Sequence, residues 1–210
     1  MTKLICFDMD GVIFKDINFW LELHKAFGTL EQGEKLTKKY LHTDYNRLVQ
    51  EVVVKLWKGK DAKVYFNLVK SLKYLPGVKE VFTKIKQEDW LTALISASSI
   101  EVARRAQHDL GIDFIYANEL VIKDGKVSGE FIWPIGAGKE KKAQIIHHLC
   151  KDMKISPEEV IYVGDSETDL DAFKIVGTSI AFNSQSETLK KASSHVVEGN
   201  DLRGVLKFLK

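Results

Sequence analysis

Cysteine is scarce in this chain: Cys6 and Cys150 lie far apart, in no CxxC or Cys/His spacing, which excludes a disulfide framework and a cysteine-built metal site. A reducing, cytoplasmic setting is the expectation. Long apolar runs are also missing, since none approaches the ~18 residues of a membrane span. The apolar stretch after Met-Thr-Lys reaches the acidic Asp8 too soon for a secretory signal, so no membrane partner is expected. Net charge is only +2, which gives no electrostatic reason to expect nucleic acid. Lysine and arginine do outnumber acidic residues between 14 and 76; a basic segment would suit an anionic substrate, and a solvated helical surface accounts for it equally well. There is no internal repeat and no low-complexity tract, and nothing specifies an oligomeric state.

What remains is a 210-residue chain, 45% hydrophobic, long enough for one domain or a core carrying a smaller insertion. Short apolar runs end in polar groups: Leu4 to Phe7 before Asp8, Leu91 to Ile95 before Ser96, Val160 to Val163 before Gly164 and Asp165. These read as buried strands. Helical patterns over 78–88, 99–110, 139–152 and 168–176 alternate with them, and Ser179 to Phe182 and His195 to Val197 continue the series, so the fold class is α/β with a mainly parallel sheet. Ser156-Pro157-Glu158-Glu159 is a helix-start signal, and Asp201 can cap a closing helix to Leu209. The stretch 14–75 breaks the alternation with about four amphipathic helices, which divides the chain into a core of 1–13 and 76–210 and a helical cap of 14–75. A second interruption holds Asp124-Gly125, a hairpin turn signal, between two apolar stretches.

In open α/β sheets ligands bind beyond the carboxyl ends of the strands, where Asp8, Ser96 and Asp165 fall. A single Asp or Ser at a strand exit most often serves turn geometry. Here three exits coincide, and two carry a second carboxylate nearby: Asp8 with Asp10, and Asp165 with Asp169. Carboxylates so close need a shared proton or a cation, and a hard divalent ion such as Mg²⁺ is held by few carboxylates together with water and phosphate oxygens.

These segments resemble the motifs of the haloacid dehalogenase superfamily, phosphoserine-phosphatase-like branch: Asp8-Met-Asp10-Gly-Val, Ile95-Ser96-Ala97-Ser98, a lysine within Gly138-Lys-Glu-Lys-Lys142, and Gly164-Asp165-x-x-x-Asp169, in the correct order along nearly the whole chain. The resemblance implies a Rossmann-like core with a type C1 cap, and an Mg²⁺-dependent phosphatase acting on a small phosphorylated metabolite. It makes Asp8 the nucleophile that forms an aspartyl-phosphate, Asp10 the acid and base, and Asp8, Asp10, Asp165 and Asp169 the metal site. Ser96 and a lysine would neutralise phosphate charge, with the amides of Ala97 and Ser98 donating to phosphate oxygens at a helix start. Lys139, Lys141 and Lys142 compete for the lysine role, and the branch pattern favours Lys142.

The same intermediate could pass to an alcohol, so phosphotransferase or phosphomutase chemistry is the alternative. Hydrolytic dehalogenation is disfavoured by Asp10, and a silent binding protein by the intact motifs. The cap glutamate and arginine that recognise phosphoserine in the branch have no clear equivalent: their positions fall near Asp16 or Ile17 and near Val53 or Val54, and Arg47 is the cap's only arginine. Weak or absent phosphoserine activity is therefore expected. His147-His148 reads as surface, Trp57 and Phe66 as cap packing rather than substrate entrance, and the Lys58-Gly59-Lys60 turn as solvated.

Overall fold

The computed structural model describes residues 3–15 and 18–209; the expected glutamate position at Asp16 or Ile17 lies outside them. Strand β1 (Leu4–Phe7) is wholly buried and forms the centre of a seven-stranded sheet. Its neighbours are β2 (Leu91–Ser99) and β5 (Val160–Gly164), both parallel to it. Outward on one side come β3 (Phe114–Lys123) and β4 (Lys126–Ile132), and on the other β6 (Thr178–Phe182) and β7 (His195–Val197). Every pairing is parallel except β3 with β4. That single reversal follows from Asp124 and Gly125, both at positive φ (50° and 72°), the geometry a two-residue hairpin turn demands.

The apolar residues of β1 alternate between two cores. Ile5 and Phe7 point to one cluster with Phe82, Val102 and Leu202, while Leu4 and Cys6 point to another with Ile146, Tyr162 and Leu189. Burial on both faces explains why these strands read as unbroken apolar runs. The α/β expectation holds.

Between β1 and α5 (Val78–Gln87) the chain runs through helices α1 (Phe19–Ala26), α2 (Leu30–Tyr40), α3 (Tyr45–Val49) and α4 (Ala62–Ser71). Helix α3 continues without a break as a wider π-helical stretch, Gln50–Trp57. The chain enters and leaves this region on paired backbones, Leu75 N to Ile13 O at 2.9 Å and Lys15 N to Lys73 O at 3.2 Å. On its far side the Lys58-Gly59-Lys60 turn bonds to the hairpin through its backbone while Lys58 and Gly59 stay exposed, as expected of a solvated turn: Gly59 N donates to Val127 O and Val127 N to Lys60 O, at 2.8 and 3.0 Å. No helix of the described residues is long and apolar enough to cross a membrane.

Four local expectations need refinement. Strand β2 runs through Ser96, Ala97 and Ser98 to Ser99, because pairing with β3 resumes at Ser99 and Asn118 after an irregularity. Helix α6 (Ile100–Leu110) therefore starts at the Ser99 cap, beyond Ala97 and Ser98. The Ser156 capping box is present but closes only one 3₁₀ turn, Pro157–Glu159, since the β-rich run from Val160 claims the backbone for the sheet. The segment after Asp201 is a 3₁₀ helix, Leu202–Phe208, and the expected helix over 168–176 shortens to a 3₁₀ turn, Glu167–Asp169, and α8 (Leu170–Phe173).

Candidate active site

Strands β1 and β5 end side by side, with Asp8 N bonded to Val163 O at 2.9 Å, so residues 8–11 and 165–169 leave the sheet as adjacent loops. Their proximity depends on Gly11. It sits at φ 79°, and a β-carbon there would lie 2.1 Å from Asp165 Oδ2, so only glycine lets the first loop close on that carboxylate. Oxygens of Asp8, Asp165 and Asp169 all lie within 4.8 Å of one another.

Helix α7 (Glu140–Met153) brings Lys142 beneath this cluster. Its ammonium stands 2.6 Å from Asp169 Oδ1 and 2.9 Å from Asp8 Oδ2, with the side chain 1% exposed. Lys139 and Lys141 are exposed. Burial alone would lower the Lys142 pKa, but Asp169 and Asp8 overcome it and hold the ammonium above its ordinary value. Burial pushes the Asp8 carboxyl up to about 6, and Lys142 limits the rise. Asp169 is fully engaged: Oδ1 accepts from Lys142 and from Tyr162 Oη at 2.9 Å, and Oδ2 from the amides of Asp165 and Ser166 at 3.1 and 3.2 Å. It fixes the second loop and orients the lysine.

A cavity of about 290 Å³ opens above these groups, and Asp8, Asp10, Ser96, Ala97, Ser98, Lys142 and Asp165 all line it. The amide of Ser98 turns inward to the Ser96 hydroxyl at 3.2 Å, and α6 begins further on, so Ala97 and Ser98 do not form a helix-start anion site. Ser96 and Ser98 also bring hydroxyls to the cavity lining. Ser96 keeps its proton to donate, and Ser98 Oγ is buried with no hydrogen-bond partner among the described residues. A buried unsatisfied hydroxyl costs about 1–3 kcal/mol, a cost relieved by a ligand oxygen.

Four carboxylates, Asp8, Asp10, Asp165 and Asp169, converge here against one ammonium among the described residues, that of Lys142. So acidic a cavity repels a phosphate dianion unless a cation intervenes, and an all-oxygen donor set suits a hard divalent ion. The residues present therefore fit such a metal.

Two residues that shape the site carry little signal in the sequence. Trp20, on α1, donates its indole N–H to the Ala97 carbonyl at 2.9 Å. Asn118, buried in β3, donates to the carbonyls of Ala97 and Gly136 at 2.9 and 2.8 Å and accepts from the amides of Ile135 and Gly136, fixing two walls of the cavity. An isolated amide within the strand run Tyr116-Ala117-Asn118 is its only sequence cue. Arg47 pairs with Glu51 at 2.6 Å and lies outside the cavity lining, Val53 is buried among apolar side chains, and His147 and His148 are exposed. Trp57 is buried against Trp20, His24 and Phe27, whereas Phe66 is partly exposed beside Tyr65.

Comparison with known proteins agrees with this geometry. The family model for haloacid dehalogenase-like hydrolases matches residues 2–177. A phosphoserine phosphatase of Archaeoglobus fulgidus is 30% identical over 99% of this chain, which spans 60% of that protein, and one of Methanocaldococcus jannaschii is 27% identical over 99% of this chain and 98% of its own length. A solved substrate-bound phosphoserine phosphatase superposes with a TM-score of 0.85 at 26% identity, covering 100% of this chain and 99% of that one, and an apo form of phosphoserine phosphatase gives 0.85 over the full length of both. With its sheet order, its four carboxylates and its buried lysine, the chain belongs to the haloacid dehalogenase-like hydrolases, in their phosphoserine-phosphatase-like branch.

Proposed function

We propose that the chain is an Mg²⁺-dependent phosphatase that hydrolyses a small phosphomonoester through an aspartyl-phosphate on Asp8. The carrying observation is the buried Asp8–Lys142–Asp169 array beneath a cavity that also holds Asp10 and Asp165. Asp8, Asp165 and the Asp10 backbone would hold the metal, with Asp169 supporting from below. The ion supplies charge neutralisation at the phosphoryl group.

Asp8 attacks phosphorus through a carboxylate oxygen, the ester P–O bond breaks, and Asp10 protonates the departing alcohol. Asp10 then takes a proton from water, which attacks the acyl-phosphate, releasing inorganic phosphate and restoring Asp8. Lys142 and the hydroxyls of Ser96 and Ser98 stabilise the oxygens of the transferring group. Residues 14–75 act as a cap over the core of 1–13 and 76–210, and exclude bulk water during turnover.

The test is hydrolysis of p-nitrophenyl phosphate. Activity requires Mg²⁺, disappears on chelation, and is lost in Asp8→Asn while the circular dichroism spectrum persists; activity retained by that variant rules out the nucleophile assignment. Release of inorganic phosphate, rather than transfer to added alcohols, separates hydrolysis from phosphotransfer.

A further inference from the structure

Beside the catalytic cavity lies a second one of about 100 Å³, between the helices that connect β1 to α5 and strand β4, which contributes Phe131. The two are neighbours that share part of their lining: Asn18, Trp20, Leu41 and Tyr45 border both. The inner chamber is walled by Leu48, Val49, Val52, Val53, Trp57 and Phe131, and none of the described residues lining it is acidic, lysine or arginine. Its histidine, His24, is kept neutral at physiological pH because burial lowers its pKa to about 4. Nor does the catalytic cavity offer a spare cation: its only described basic residue is Lys142, already shared between Asp8 and Asp169.

The geometry points to a leaving-group subsite: the substrate is the phosphate ester of an alcohol with a short, uncharged apolar tail, which passes Trp20 and seats between Val49, Val52 and Trp57. This rests on the phosphatase reading and adds the substrate class to it. A zwitterionic leaving group such as serine would place its carboxylate where no free cationic side chain among the described residues can pair with it, a costly burial. An alkyl tail, in contrast, replaces water on a wall of aliphatic and indole surfaces. Trp20 is suited to guard the passage, because Ala97 O holds its indole N–H and the ring stacks towards Trp57 at 6.2 Å between centroids. At ~30 Å³ per water-sized volume, the chamber admits roughly three to four carbons.

Binding and turnover test this separately. A ladder of methyl-, ethyl-, propyl-, butyl- and hexylphosphonate, none of which can be hydrolysed, is titrated with Mg²⁺ present against the intrinsic tryptophan fluorescence, to which Trp20 and Trp57 contribute. Affinity should rise about fourfold per methylene up to about butyl and then level off. kcat/KM for the corresponding alkyl phosphates should rise in parallel, with phosphoserine at least a hundredfold below butyl phosphate. Val49→Phe, which fills the chamber, should bring the butyl-to-methyl affinity ratio towards one, and Val52→Ala should move the plateau to longer chains. Affinity independent of tail length, or phosphoserine preferred over butyl phosphate, overturns the subsite even if p-nitrophenyl phosphate is hydrolysed. Failure to hydrolyse any ester, with length-dependent phosphonate binding intact, overturns the phosphatase reading and leaves the chamber assigned.

Discussion

The Trp20 indole and the Ala97 carbonyl meet at 2.9 Å, joining a helix of the proposed cap to the strand that carries Ser96. Asn118 donates to the same carbonyl, so Trp20→Phe leaves it satisfied. The stability lost should then be at the low end for a hydrogen bond, about 0.5–1 kcal/mol by urea titration. The functional effect is larger in kind: with the cap less firmly held, KM for phosphate esters rises. An unchanged KM would disconnect this contact from substrate retention.

Among the described residues, Lys142 is the only counter-charge that the buried carboxylates of Asp8 and Asp169 touch directly. Lys142→Met should therefore cost about 3–5 kcal/mol at neutral pH in metal-free protein, because both lose their counter-charge in a buried site. The deficit should shrink on acidification as Asp8 takes up a proton. A pH-independent deficit would mean that lost packing, not charge, dominates.

Two groups titrate with opposite consequences for stability. His24, lowered to about 4, binds a proton less readily when folded than the ordinary value near 6.5 allows, so its contribution is complete above pH 6.5 and is lost as pH falls towards 4. Asp8, raised to about 6, binds its proton more tightly when folded, so acidification from pH 6 towards 4 adds stability in chelator-treated protein. The difference between wild type and His24→Gln isolates the histidine contribution: the wild-type melting temperature should fall more steeply between pH 6.5 and 4. Parallel curves would remove His24 as a titrating element.

Gly33 on α2 packs so closely on His24 that an added β-carbon would lie 2.4 Å from the imidazole. Alanine ordinarily stabilises a helix by about 1 kcal/mol over glycine. Here the overpacking of a buried ring should outweigh that gain, giving a net loss of about 1–2 kcal/mol for Gly33→Ala in thermal or urea denaturation. A stabilised variant would show that α1 and α2 can separate freely.

Asp8 and Asp165 stand out in the sequence because each terminates an apolar run, and run length alone places such residues at strand tips. Legibility ends where long-range register decides. Residues 96–98 lie inside a strand because Ser99 finds Asn118, a partner nineteen positions away, and no local pattern encodes that. The Ser156 capping box reads correctly as a start signal, but a cap specifies where a turn begins and not how far it runs, and here it closes a single 3₁₀ turn. Trp20 and Asn118 are silent for a related reason: their chemistry consists of bonds to distant carbonyls, and carbonyls carry no residue identity.

Sheets expose unpaired backbone at their margins, which invites pairing with another chain. On one margin the antiparallel strand β4 receives the 58–62 turn, whose backbone bonds to Gly125 and Val127 occupy the start of the open edge. On the other, β7 has only three residues, and His195 stacks on Phe208 at 4.0 Å. A turn that resembles a stray basic loop thus shields one flank against edge-to-edge aggregation, and deleting it should expose a strand long enough to recruit a second molecule.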